Sequence, residues 1–144
     1  MRGSPGRSDA EGMEMRCLLV DDNACFMRAM RSMLERDGAT VVGTATNGDD
    51  ALMRMGTCRP DVVLVDVRLG QENGFDVAHR IEELVPVGAR RPAIIIVSTH
   101  AEDELADRIA ANPSFGFLDK TRVSGATVRG LLSARHDRVV NGSA

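Results

Sequence analysis

The chain has 144 residues, 43% of them hydrophobic and only 3% aromatic, with a formal net charge of −3. That length suits one domain with an aliphatic core of its own and no need of a disulfide framework or structural metal. The acidic balance and scarcity of aromatics argue against a free-standing nucleic-acid binder, and the longest apolar run, 93–97, is too short to cross a bilayer.

Residues 1–14 are Gly-, Ser- and Arg-rich and read as a disordered N-terminal extension, with no apolar signal-peptide core. A cytoplasmic location is therefore expected. Cys17 to Val20 is a buried strand, followed by a helix over Ala24–Arg36 with Phe26, Met30, Met33 and Leu34 at helical spacing and Gly38 ending it. A second strand covers Thr40–Thr46 and a second helix Asp49–Cys58, closed by Arg59-Pro60. The third strand is Val62–Val65 and the third helix Phe75–Val85, with Val77, Ile81 and Leu84 on one face. After a loop over Pro86–Pro92 come strand four, Ala93–Val97, and helix four, Glu102–Ala111. Strand five, Phe115–Leu118, leads to a last helix, Gly125–Arg135, with Ser124 as its N-cap. One domain is expected over 15–137, with a C-terminal tail over 138–144.

Five βα units in a row, with continuous rather than alternating apolar strands, describe a doubly wound parallel sheet covered on both faces. In such sheets ligands bind at the carboxyl ends of the strands. Strand one runs into Asp21-Asp22, strand three into Asp66, strand four into Ser98 and strand five through Asp119 to Lys120. Strand two ends without a strong polar group, as an edge strand would in the order 2-1-3-4-5. The rim thus receives carboxylates, a hydroxyl and an ammonium. Lys120 is the only lysine among 18 basic residues, and a compact ammonium suits a point contact to a phosphate oxygen. Crowded carboxylates repel unless a cation intervenes, and all-oxygen ligands with water completing the shell suit Mg²⁺. Asp21 and Asp22 are placed as a metal pair, and Asp66, alone at the centre, as a nucleophile.

The stretches Leu-Leu-Val-Asp-Asp (18–22), Val-Val-Leu-Val-Asp-Val-Arg-Leu-Gly-Gln-Glu-Asn-Gly-Phe (62–75), Ile-Ile-Ile-Val-Ser-Thr (94–99) and Gly-Phe-Leu-Asp-Lys (116–120) together resemble the receiver domain of two-component response regulators, over about residues 15–137. The resemblance implies a flavodoxin-like receiver fold with Asp66 as phospho-acceptor. It implies Mg²⁺ on Asp22, on Asp21 directly or through water, on Asp66 and on the Arg68 backbone carbonyl. Ser98 would move to bind the new phosphate, Lys120 would pair with it, and the Phe117 rotamer would follow Ser98. Gly74 would be the turn glycine that opens helix three. The donor would be a phosphohistidine on a histidine kinase or phosphotransfer protein, and the output a shifted helix 4–strand 5–helix 5 face that meets a downstream protein. The chain would be a phospho-acceptor rather than an enzyme, with no nucleic-acid or membrane contact of its own.

Some positions depart from the family pattern. Thr121 stands where many relatives have proline, which leaves the loop before helix five looser or differently set. Gly70 also replaces a common proline, which suggests a more mobile loop after Asp66. Arg68 and His100, each two residues past a site residue, are expected to tune hydrolysis of the phosphoryl group. His79 reads as an exposed polar-face histidine, and His136 as a cation at the end of the last helix. Cys17, Cys25 and Cys58 read as reduced thiols. An aspartyl phosphatase of the haloacid-dehalogenase type would want an acid where Arg68 stands, and a flavodoxin would need a hydroxyl-rich phosphate loop where Asp21-Asp22 stands. The chain is expected to be a stand-alone receiver. The alternatives are a receiver-like interaction module that signals without phosphorylation, and the receiver part of a longer DNA-binding regulator.

Overall fold

Three nearly all-aliphatic strands form the middle of the sheet, and their two-residue side-chain period divides them between two cores. Leu18, Val20, Val63, Val65, Ile94 and Ile96 face one layer. Cys17, Leu19, Val62, Leu64, Ile95 and Val97 face the other. The computed structural model describes residues 15–99 and 105–133. In it β1 (Arg16–Val20), β2 (Thr40–Ala45), β3 (Val62–Asp66), β4 (Ala93–Ser98) and β5 (Gly116–Asp119) form one sheet in the order β2-β1-β3-β4-β5. All its pairings are parallel, so this is a doubly wound sheet in the expected order 2-1-3-4-5.

Helices α2 (Gly48–Cys58), α3 (Gly74–Leu84) and α4 (Ala106–Ala111) cover the first core, through Ala51, Phe75, Val77, Ala78, Ile81 and Ile109. Helix α1 (Ala24–Arg36) and the helix over 125–133, α5, cover the second through Met30, Leu34, Val128 and Leu131. Each fully buried Leu, Ile or Val contributes about 1.5–3 kcal/mol relative to exposure, so these two layers carry most of the drive to fold. The Ser124 hydroxyl accepts from the Thr127 amide at 3.1 Å and caps α5 as the sequence suggests.

Several boundaries differ from the sequence reading. Helices α2 and α3 begin at glycines, poor helix formers, because Asn47 and Asn73 cap them: Asn47 Oδ1 accepts from Asp50 N and Asn73 Oδ1 from Phe75 N. β5 starts one residue late because Phe115 turns into the core, 8% exposed. An antiparallel hairpin, Arg68–Leu69 with Glu72–Asn73, follows β3 where the sequence pattern shows only a loop. His79 is exposed, as expected, yet its Nε2 lies 2.6 Å from Asn112 Oδ1 and its ring 5.1 Å from that of Phe115. The expected extension over 1–14, the start of helix four at Glu102, His100, the end of helix five at Arg135, His136 and the tail over 138–144 lie outside the described residues. No described helix is long and apolar enough to cross a membrane.

Candidate functional site

The register of the sheet fixes which side chains meet. Val65 pairs with Val20 and Ile96, Asp66 with Val97, and Ser98 with Asp119. The residues that end β1, β3, β4 and β5 therefore arrive at one rim. Asp21, Asp22 and Asp66 each bring a carboxylate oxygen within 4.8 Å of the others. Asp21 is 1% exposed and Asp66 8%, while Asp22 is exposed. Buried carboxylates need partners. Lys120 Nζ supplies them, at 3.0 Å from Asp21 Oδ2 and 3.2 Å from Asp66 Oδ2.

The backbone completes the arrangement. The Asn23 amide donates to Asp21 Oδ1 at 2.8 Å, and the Arg68 amide to Asp66 Oδ1 at 3.3 Å. The Gly70 amide donates to Asp22 Oδ2 at 2.8 Å. Gly70 has a φ of +60°. Proline could neither adopt that conformation nor donate that bond. Where the sequence suggests a mobile loop, the glycine instead ties the hairpin to an acidic residue of the site. Gly74 sits where a Cβ would collide with the Asp66 carbonyl oxygen and lie 2.8 Å from Val67 Cα, so only glycine lets α3 start this close to the acceptor strand.

Burial, and then the neighbouring Asp21 charge, push the Asp66 carboxyl above its ordinary value, with Lys120 opposing them. Burial alone would lower Lys120, but its bonds to Asp21 and the charge of Asp66 hold it above the usual lysine value. Asp119 is not among the clustered carboxylates. Its carboxylate accepts from the Thr121 amide and hydroxyl at 2.8 and 2.6 Å, and these bonds hold it below its ordinary value. Thr121 thus gives the loop before α5 two bonds that a proline could not offer, so the loop is differently set rather than looser.

Asp22, Asn23, Asp66, Arg68, Gly70, Thr99 and Lys120 line a cleft of about 290 Å³. Asp66 and Lys120 are thus reachable from solvent although mostly covered. A larger groove of about 550 Å³ lies at the opposite pole, among Met55, Pro60, Leu84 and Pro86, away from this chemistry. Ser98 is fully buried, whereas Thr99 is exposed and lines the cleft. Phe117 is partly buried and packs on the α2–α4 side of the sheet. The sequence reading did not identify Asn23, Thr99 or the Gly70 amide as part of the site. It also placed Phe26 only among core-facing helix residues, whereas the Phe26 ring lies under Lys120 Nζ, 4.3 Å from its centroid.

The donor set is all oxygen. Three carboxylates face a single ammonium and leave a surplus of negative charge open to the cleft, which fits a hard divalent cation.

The chain is 32% identical over 136 residues to a protein-glutamate methylesterase/protein-glutamine glutaminase of Symbiobacterium thermophilum, covering 92% of this chain and 35% of that protein. It is 39% identical over 89 residues to the enzyme of the same description from Halalkalibacterium halodurans, covering 61% of this chain and 25% of that protein. The chain therefore spans about a third or less of these relatives. Among solved structures it is similar to the signal receiver domain of a modulated diguanylate cyclase from Desulfovibrio desulfuricans G20, with TM-score 0.69 and 28% identity over 89% of this chain and 98% of that one. The family model of the response regulator receiver domain matches residues 17–126, which include all of the sheet but Arg16, and the chain belongs to that family.

Proposed function

We propose that this chain is the phospho-accepting receiver of a two-component phosphorelay, with Asp66 as the acceptor and residues 15–137 as the receiver unit. One observation carries the reading. Asp66 is buried at the central strand end, yet it opens onto a cleft and is held by the only lysine of the chain beside two further carboxylates.

An Asp66 oxygen attacks the phosphorus of a phosphohistidine. The new P–O bond forms as the donor's P–N bond breaks, and the departing imidazole takes up a proton. Lys120 opposes the rise that burial causes in the Asp66 pKa and lies ready for a phosphoryl oxygen. The Arg68 amide fixes the orientation of the carboxylate. Mg²⁺ held by Asp21, Asp22, Asp66 and the Arg68 carbonyl would neutralise charge on the phosphoryl oxygens. The donor is a histidine kinase or phosphotransfer protein in the cytoplasm. The protein turns over no separate substrate; its chemistry is acceptance and hydrolysis of its own phosphoryl group.

The product adds about two negative charges at the rim. Ser98, one strand position past the residue paired with Asp66, reorients towards them, and Phe117 on the neighbouring strand follows. This shifts the population of the face made by α4, β5 and α5, where a downstream protein binds. Arg68, exposed at the cleft, and His100 tune how readily water reaches the phosphoryl group. Incubation with acetyl phosphate and Mg²⁺ should label the wild-type chain and leave Asp66→Ala unlabelled. Equal labelling of the variant would refute the assignment of Asp66.

A further inference from the structure

An ammonium has three N–H donors. Two of those on Lys120 are directed to Asp21 and Asp66, and the remaining approach is occupied by the face of Phe26, 4.3 Å from Nζ to the ring centroid. That ring is tied back to one of these carboxylates, Asp21, through Asn23. The Phe26 amide donates to Asn23 Oδ1 at 2.9 Å, and the Asn23 amide donates to Asp21 Oδ1 at 2.8 Å. Asp21, Asn23, Phe26 and Lys120 therefore form a closed circuit at the start of α1. We propose that Phe26 is a positioning residue, a cation–π platform that holds the Lys120 ammonium against Asp66 and shields it from water.

The chemistry gives the ring a reason to be there. A lysine carries four rotatable bonds, and its head would otherwise sample water and the Asp22 side of the cleft. Phosphoryl transfer rewards charges that are already in place when negative charge develops. A ring face attracts the ammonium without competing for a lone pair. It leaves both carboxylate contacts intact and lets the head turn towards a phosphoryl oxygen without losing its third neighbour. An aliphatic side chain of similar size would fill the same space at the α1–α5 core but would not hold the charge.

The kinetic half of this inference rests on the phospho-acceptor reading; the structural half does not. Because Lys120 is the only lysine, growth on ¹³C,¹⁵N-lysine yields one set of side-chain resonances and reports Lys120 alone. The measurement compares wild type, Phe26→Tyr and Phe26→Leu, all in the full chain without Mg²⁺. In wild type and Phe26→Tyr the ring current should move the Lys120 Hε signals upfield, and in Phe26→Leu they should return towards free lysine. With acetyl phosphate and Mg²⁺, Phe26→Leu should be phosphorylated roughly two- to thirtyfold more slowly, the range expected for losing one cation–π contact. Phe26→Tyr should keep a rate near wild type. Identical Lys120 signals in Phe26→Leu and wild type would overturn the proposal. So would an unchanged rate in Phe26→Leu despite a moved signal. A wild-type chain that accepts no phosphoryl group would overturn the parent reading instead, and the resonance comparison would then decide the platform alone.

Discussion

Replacing Lys120 with methionine keeps an unbranched stem, one atom shorter, and removes the charge that Asp21 and Asp66 share. At 3.0 and 3.2 Å the two attractions are each worth about 5 kcal/mol gross at an effective dielectric of about 20, while two carboxylates within 4.8 Å of each other repel by at least about 3.5 kcal/mol. Desolvation offsets much of the gross attraction. Breaking a buried pair by removing one partner nonetheless typically costs about 3–5 kcal/mol, because the remaining charge is left uncompensated. Lys120→Met should therefore lose about that much unfolding free energy at neutral pH in a chelator, read from urea denaturation. Losing Lys120 also removes an influence that lowers the Asp66 pKa, which burial and Asp21 already raise above 3.8. The folded variant then binds a proton more readily than its unfolded chain does, so its stability falls as pH rises through that window. The deficit should be largest at neutral pH, shrink on acidification and shrink again when Mg²⁺ is added. A loss under about 1 kcal/mol in chelator, or one that does not change with pH, would refute the reasoning.

Gly70→Pro removes the amide that holds Asp22 and forbids the φ of +60°; it should cost more than about 1 kcal/mol in thermal unfolding and weaken Mg²⁺ binding measured by calorimetry. Gly74→Ala drives a methyl into the Asp66 backbone, and a loss of about 1–3 kcal/mol by denaturant titration is expected. Burial, with the Asp61 charge adding to it, pushes the Cys17 thiol from 9.0 up to about 12. Cys17 should thus resist alkylation in the native protein while exposed Cys25 reacts. The same shift means that folding loses about 1.4 kcal/mol per pH unit from Cys17 between those two values, as the unfolded thiol ionises first. Arg68→Ala and His100→Ala should each change the dephosphorylation rate several-fold; if neither moves it, the hydrolysis-tuning role is wrong.

The sheet was legible in the sequence because its strands are unbroken aliphatic runs, and each run ends on a polar residue of distinct chemistry. Asp21, Asp22, Asp66 and Lys120 could be placed together from that alone. What could not be read depends on contacts across the fold. The hairpin after β3 has only two residues per strand, too few for periodicity to register, and the Gly70–Asp22 bond that anchors it joins residues 48 positions apart. Helical spacing put Phe26 on the inner face of α1 but gave no sign that Lys120 would end above it. Ser98, the last residue of β4, is buried and Thr99, just past the strand end, is exposed, a choice set by where the strand ends rather than by either residue's chemistry. Helical periodicity starts α2 and α3 one residue late because glycine argues against a helix and the capping asparagines outweigh it, whereas the resemblance correctly has Gly74 opening α3.

The most direct test of the central claim is intact-mass measurement after incubation with acetyl phosphate and Mg²⁺, with a chelator and Asp66→Ala as controls. The expected result is the gain of one phosphoryl group that disappears in both controls. A folded protein that binds Mg²⁺ yet gains nothing, either from acetyl phosphate or from a phosphorylated histidine donor, would contradict it.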